Sequence, residues 1–331
     1  MESTMKAYGF RKFGGAEVME VMELPKPGLK ANTVLIRVAA AGVNPADVVA
    51  RSGALKLFIR PPFVPGLEVA GVVEAVGAEV KRFKPGDAVY AMLPNTRAGG
   101  YAAYAAVAEK AVAVIPAGLS FEEAAAIPVG ALTALQALRD KVHLQPGTHL
   151  LINGASGGVG TFAVQIAKAM GARVTATCSG RNVELVRGLG ADEVIDYTTT
   201  NILSGERQFD LIFDAVGVYS FKQWKPALKV QGTLVTVNPL FGNPLAAFLS
   251  RFGNKRLTSI FVQPSGADLQ QLNQWVEARK MRVVLERVYA LENCADAQRT
   301  SETKRVRGKL ALVVDAALAQ TRSRDYSLVP V

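Results

Sequence analysis

Two cysteines, Cys178 and Cys294, and two histidines, His143 and His149, are all that 331 residues contain. Two thiols cannot staple a disulfide framework or fill a four-cysteine zinc lobe. A reducing, cytoplasmic compartment is therefore expected. Both histidines flank the Gln145-Pro146-Gly147 turn and read as surface or structural residues rather than metal ligands. Aromatic residues are also few, at 7%. The one dense basic patch, Lys304-Arg305-Val306-Arg307, has no aromatic interleaving, so nucleic-acid binding is not expected. No apolar run approaches the roughly 18 residues of a membrane span. The opening MESTMKAYGF lacks the apolar core of a secretory signal.

What the chain does have is basic charge, apolar bulk and one glycine-rich turn. The formal charge of +10 suits a soluble surface or attraction of an anionic ligand such as a phosphorylated cofactor. With 50% hydrophobic residues, the length is comfortable for two domains. The central stretch is Leu150 to Gly171. An aliphatic strand, Leu150-Leu151-Ile152, breaks into Gly154-Ala155-Ser156-Gly157-Gly158-Val159-Gly160, and an amphipathic helix follows. In the dinucleotide-binding register, Ala155, Gly157 and Gly160 hold the three small positions. These allow the sharp turn, close approach of backbone to a pyrophosphate, and tight packing of helix on strand. The helix N-terminus then offers unpaired N–H groups to phosphates.

Up to Val114 the chain reads as short strands with turns: Thr33–Val38, Gly71–Gly77, and Ala88–Ala91 after the Lys84-Pro85-Gly86-Asp87 turn. Ser120-Phe121-Glu122-Glu123 resembles a capping box, and the alanine-rich stretch to Lys141 reads as helix. Strands are then expected at Arg173–Cys178, Glu193–Asp196, Asp210–Asp214, Gly232–Asn238 and Thr258–Val262, alternating with helices. That alternation predicts a doubly wound parallel sheet. A helix is expected over Gln270–Arg282, a strand over Gly308–Val314, and an unpatterned tail over Ala316–Val331. The predicted fold class is α/β, with residues 126–265 forming a Rossmann-type domain. Residues 1–125 and 266–331 would form the β-rich domain into which it is inserted.

Several fragments in shared order resemble the medium-chain dehydrogenase/reductase superfamily, in its zinc-free quinone oxidoreductase branch. They are Ala40 to Asp47 (AAGVNPAD), Arg51-Ser52-Gly53, Pro65 to Val73 (PGLEVAGVV), Gly86 to Val89, Gly99 to Tyr104 and Gly130 to Ala134. The β-rich domain would then be GroES-like and catalytic. Where zinc-dependent relatives place Cys and His, this chain has Asn44 and Leu67, so no metal is expected. Cys178 stands where an NAD enzyme places a carboxylate, and Ser179 and Arg181 can donate to a 2′-phosphate. The resemblance adds Tyr197 as a further phosphate contact, and NADPH is the expected cofactor. Alternatively, Arg181 is a solvated helix-start residue and Tyr197 packs.

The resemblance also implies a nicotinamide pocket approached by Val159, Ala215-Val216-Gly217 and Asn238 to Gly242 from the cofactor domain, with Asn44 and Thr133 flanking it from the other. Its cofactor contacts would comprise Thr133, Ala155 to Gly160, Ser179, Arg181, Tyr197, Val216, Gly217, Asn238, Phe241 and Lys309. Asn44, Asp47 and Thr133 are the catalytic candidates, Asp47 as an orienting partner of loop residues, and Glu68 is a conformational or structural carboxylate. Phe58, Ile59, Phe63, Phe241 and Phe248 are candidates to line the substrate space or to be plain core. The implied reaction is NADPH-dependent reduction of a small quinone or enone. The alternatives are an enoyl-thioester reductase and a non-catalytic NADPH- or RNA-binding protein. A homodimer is implied, with Leu234–Val237 or Ser259–Val262 as the pairing edge.

Overall fold

A computed structural model describes residues 4–94, 98–204, 206–237 and 244–322, apart from the side chains of residues 244–246. The chain folds into two compact units. One comprises Met1–Val129, Pro264–Arg279 and Val283–Val331; the other comprises Gly130–Gln263 and Lys280–Arg282.

The first unit contains β1 (Thr4–Gly9), β2 (Glu20–Pro25), β3 (Thr33–Val43), α1 (Pro45–Arg51), β4 (Glu68–Val76) and β5 (Ala88–Met92). It continues with β6 (Tyr104–Ala108), β7 (Val112–Val114) and α2 (Phe121–Ala125). The second unit takes up most of α3 (Pro128–Gln136), then β8 (His149–Asn153), α4 (Gly160–Ala169), β9 (Arg173–Cys178), α5 (Val183–Gly188) and β10 (Glu193–Asp196). It ends with β11 (Phe209–Asp214), α6 (Phe221–Trp224), β12 (Leu228–Thr236), α7 (Pro244–Ser250) and β13 (Arg256–Ser259). The chain then returns to the first unit for α8 (Gly266–Glu277), β14 (Leu285–Ala290), α9 (Cys294–Glu302), β15 (Lys309–Val313) and α10 (Ala316–Gln320).

The first unit is organised on β3, whose 11 residues are too long for one partner. Its first half pairs with β6 and its second half with β15, while β4 runs antiparallel along the other edge. Aliphatic residues of these strands, among them Val34, Ile36, Val69, Val89, Leu310 and Leu312, form the core. The second unit has six parallel strands in the order β10-β9-β8-β11-β12-β13. This is the doubly wound order, whose connections reverse direction between β8 and β11. Leu151, Phe209, Ile212, Trp224, Leu234 and Leu257 fill its core.

Five local expectations need correction. The helix read over Ser120–Lys141 is broken: Pro128 cannot continue α2, so α3 starts afresh there. The Ser120–Glu123 capping box does start α2 as read. The helix read over Gln270–Arg282 lies over Gly266–Glu277, because the Ser265 hydroxyl caps it by accepting from Asp268 N–H. The strand read over Thr258–Val262 is Arg256–Ser259, since Leu257 is the residue buried against the core while Phe261 is exposed. Leu234–Val237 offers no sheet edge, because β12 is paired on both sides. Part of the expected tail is helical: the Asp315 carboxylate caps α10 through Leu318 N–H.

Candidate functional site

The glycine-rich turn sits at the C-terminal end of β8, beside the point where strand order reverses. Its small residues have different jobs. A Cβ on Gly160 would lie 2.1 Å from the Gly154 carbonyl oxygen and 2.7 Å from Ala155 Cα, so only glycine lets α4 start this close to the strand. Gly154 has φ +78°, a left-handed conformation that glycine adopts without strain. Ala155 is buried and ties the turn to β9 through its N–H and Thr177 O at 2.9 Å. Gly157 is different: a Cβ there would meet nothing nearer than Gly154 O at 3.5 Å. The space over Gly157 is open, as close approach of a pyrophosphate requires. Ser156, Gly158 and Val159 are half-buried around it, ahead of the first turn of α4.

A buried polar chain holds this turn. Asn153 donates to Asp214 Oδ1 at 2.8 Å and accepts the Thr177 hydroxyl at 2.7 Å. Thr177 Oγ1 in turn accepts Gly154 N–H at 3.3 Å. Asp214 Oδ1 also receives the backbone N–H groups of Val216 and Gly217, and Oδ2 receives the Trp224 indole at 3.1 Å. The expected cofactor residues Val216 and Gly217 thus form a turn wrapped around a fully buried carboxylate. Asn153, Thr177, Asp214 and Trp224 were not anticipated as site supports. Asp214 and Asn153, polar residues ending aliphatic strands, were the available signal.

At the ends of β9 and β10, the structure gathers the proposed phosphate contacts. Tyr197 N–H donates to Cys178 O at 3.1 Å, placing Tyr197 beside the end of β9. Its side chain is 54% exposed, and Arg181 is exposed as well. Asn182, buried and not anticipated, donates to Ser156 Oγ at 3.1 Å and Ser179 Oγ at 3.3 Å. It therefore joins the glycine turn to the end of β9.

The first unit holds a second cluster, around Asn44 at the N-cap of α1. Lys309 Nζ lies 2.6 Å from both Asn44 Oδ1 and Glu68 Oε1. Asn44 Nδ2 donates to Glu68 Oε1 at 2.8 Å, and Glu68 Oε2 accepts Val129 N–H at 2.7 Å. Asp47 accepts Asn44 N–H and Gly66 N–H, both at 2.8 Å, and the Tyr101 hydroxyl at 3.2 Å. Asn44, Asp47, Glu68 and Lys309 are all buried. Burial pushes the Asp47 carboxyl up to about 6 despite its two backbone donors, which pull the other way. Because this value lies above the unfolded value of about 3.9, its contribution to stability is full below about pH 4. That contribution is lost as pH rises through about 6. The side-chain carboxyl carbon of Asp47 should accordingly titrate near pH 6 by NMR. A midpoint near 4 would mean that water reaches the group.

Other expected residues fall less neatly. Thr133 lies on α3, which belongs to the parallel-sheet unit rather than to the Asn44 side. Ile59 is core beside Phe10, with Phe63 packed against it; Phe58 is 76% exposed. Phe248, on α7, lines a cavity of about 750 Å³ with Lys141, Arg251 and Arg256. Asn238 and Phe241 lie outside the described residues. His149 accepts or donates at Thr175 Oγ1, 3.1 Å away, with its ring edge on Phe209. No helix among the described residues is long and apolar enough to cross a membrane.

Comparison with known proteins matches both units. Residues 30–117 match the alcohol dehydrogenase GroES-like domain family, and residues 189–312 the zinc-binding dehydrogenase family. A chloroplast envelope quinone oxidoreductase homolog of Arabidopsis thaliana is 34% identical, over 90% of this chain and 94% of its own. An NADPH-dependent alkenal/one oxidoreductase of the same plant is 34% identical, over 93% of this chain and 79% of its own. The solved structure of a quinone oxidoreductase from Coxiella burnetii superposes with a TM-score of 0.86 and 30% identity, covering 95% of this chain and 100% of the other. With the GroES-like sheet and the parallel nucleotide-binding sheet both present, the chain belongs to the medium-chain dehydrogenase/reductase superfamily, among the quinone oxidoreductase homologues.

Proposed function

We propose that this chain is an NADPH-dependent oxidoreductase that reduces quinones or the C=C bond of α,β-unsaturated carbonyls. The observation that carries the reading is the open space above Gly157, with a hydroxyl- and arginine-bearing loop rather than a carboxylate ending β9. Ala155 to Gly160 and the first turn of α4 would hold the pyrophosphate. Ser179, Arg181 and Tyr197 would hold the 2′-phosphate, with Asn182 fixing Ser179. Thr133, Val216, Gly217, Asn238 and Phe241 are the proposed contacts of the nicotinamide half. When bound, NADPH supplies a hydride to the β-carbon of an enone or to a quinone, and water supplies the proton.

The protein's own contribution is orientation and charge. The Asn44 amide carries one N–H beyond the one given to Glu68, and it can donate to the oxygen on which negative charge develops. Asp47 keeps the Asn44 backbone in place. The residues here do not suit zinc. Asn44 and Leu67 supply no thiolate or imidazole; of the nearby carboxylates, Glu68 is already ion-paired with Lys309 at 2.6 Å and Asp47 is taken by the N–H groups of Asn44 and Gly66. No catalytic step is assigned to a metal. The small-molecule acceptor, a cytoplasmic setting and a homodimer complete the proposal. Both cysteines are buried and unpaired, and β13 stands at the end of the parallel sheet.

The test is to mix pure protein with NADPH and 1,2-naphthoquinone or an alkenal and follow NADPH consumption. Cofactor binding without turnover on any acceptor would overturn the enzymatic reading. Cofactor preference has its own check. Arg181→Ala should raise KM for NADPH by about 10–100-fold while leaving KM for NADH near its original value, as loss of a charge-assisted phosphate contact predicts. Equal effects on both would remove Arg181 from the phosphate site.

A further inference from the structure

We infer that Lys309 is a positioning residue: it fixes the side-chain amide of Asn44 so that one N–H is left to meet the substrate oxygen. This deepens the reductase reading and rests on it. The sequence resemblance offered Lys309 as a cofactor contact; the hydrogen bonds assign it a different task.

The juxtaposition comes from strand register. Val43 pairs with Leu310, so Asn44 and Lys309 lie next to each other at the ends of β3 and β15. Ala41 pairs with Val69, which brings Glu68 to the same end from β4. Gly42 makes the crowding possible, since a Cβ there would stand 2.1 Å from Glu68 Oε1. Each group is then pinned. The Asn44 backbone N–H is held by Asp47, and Asp47 N–H is satisfied by the Asn44 carbonyl at 3.0 Å. Glu68 Oε2 is taken by Val129 N–H, which leaves Oε1 for both Lys309 and Asn44.

Only the end-over-end direction of the Asn44 amide remains to be decided, and Lys309 decides it together with Glu68. An ammonium has donors and no acceptor, so it takes Oδ1. Glu68 Oε1, an acceptor, then takes one Nδ2 hydrogen. Reversing the amide would turn NH₂ toward the ammonium and C=O toward the carboxylate. Both bonds would be lost and two repulsive contacts made. The second Nδ2 hydrogen has no partner among the described residues. Without Lys309, Glu68 Oε1 alone enforces that direction, through one hydrogen bond in place of two.

The test uses the full chain with Lys309→Met, alone and combined with Asn44→Ala, and reads three quantities. NADPH Kd by fluorescence titration should stay within about threefold of the starting value, and kcat should fall by about 100-fold, the scale set by losing one oriented donor. Adding Asn44→Ala should lower kcat no further. The Asn44 side-chain amide signals in a ¹⁵N NMR spectrum should shift or average in Lys309→Met, with or without cofactor. Weakened NADPH binding with unchanged kcat, or unmoved Asn44 signals, would overturn the inference and return Lys309 to the cofactor. Should Lys309→Met not fold, the Lys309→Met/Glu68→Gln pair removes the opposing charge too and is read in the same way. A starting protein that turns over no acceptor defeats the reductase reading alone; the NMR result still decides whether Lys309 orients Asn44.

Discussion

Replacing Gly157 with valine is expected to raise the NADPH Kd by more than about 1000-fold, roughly 4 kcal/mol, in a protein that still folds. The turn itself does not resist the change. Gly157 is outside the left-handed region, and a Cβ there touches only Gly154 O at an ordinary 3.5 Å. The branched methyls would instead enter the open space above the turn, where phosphate oxygens have to approach backbone N–H groups. Gly160→Ala is the contrasting variant. Its Cβ would overlap Gly154 O at 2.1 Å, so the turn and α4 must move apart, and a loss of about 1–3 kcal/mol of stability is expected. Fluorescence titration separates the pair from thermal unfolding. Tight NADPH binding by Gly157→Val would show that the dinucleotide lies elsewhere.

The glycine turn was legible because its signals are local: an aliphatic strand, small residues at fixed spacing and a helix, within some twenty residues of chain. The same holds for Ser120–Glu123, whose two hydrogen bonds close within one turn. Ser265 carries an equally local cap, but Gly266 and the polar residues behind it hid the start of α8 from a reading based on apolar spacing. Pro128 was in plain view, and the alanine content around it outweighed a rule that backbone geometry does not relax. The Asn44 cluster was half visible. Asn44, Asp47 and Glu68 lie in fragments that could be singled out, but Lys309 joins them only through the register of β15 on β3, 265 residues away. Asn182 was hidden differently, as one more polar residue in a polar loop. Its importance depends on Ser156 and Ser179 being within reach of the same amide.

Asp214→Ala should cost about 3–5 kcal/mol of stability, because a buried, multiply bonded carboxylate would be removed from around its donors. Four groups would lose their acceptor: Asn153 Nδ2, the backbone N–H groups of Val216 and Gly217, and the Trp224 indole. Asp214 is fully buried, so water does not readily replace the missing oxygen atoms. Asp214→Asn is milder. Its single oxygen can keep the three donors now on Oδ1, while its NH₂ would confront the Trp224 N–H, a loss of about 1–3 kcal/mol. The chain has two tryptophans, so Trp275→Phe leaves Trp224 as the sole indole reporter in urea unfolding. Both variants should also weaken NADPH binding in the order Ala more than Asn. Asp214 reaches the glycine turn through Asn153, Thr177 and Gly154 N–H, as well as setting the Val216-Gly217 turn directly. Full stability in Asp214→Ala would mean that the carboxylate fills space without supporting the turn. Lost stability with unchanged NADPH affinity would separate the Asp214 chain from cofactor binding and leave Asn182 as the bond that joins Ser156 to the end of β9.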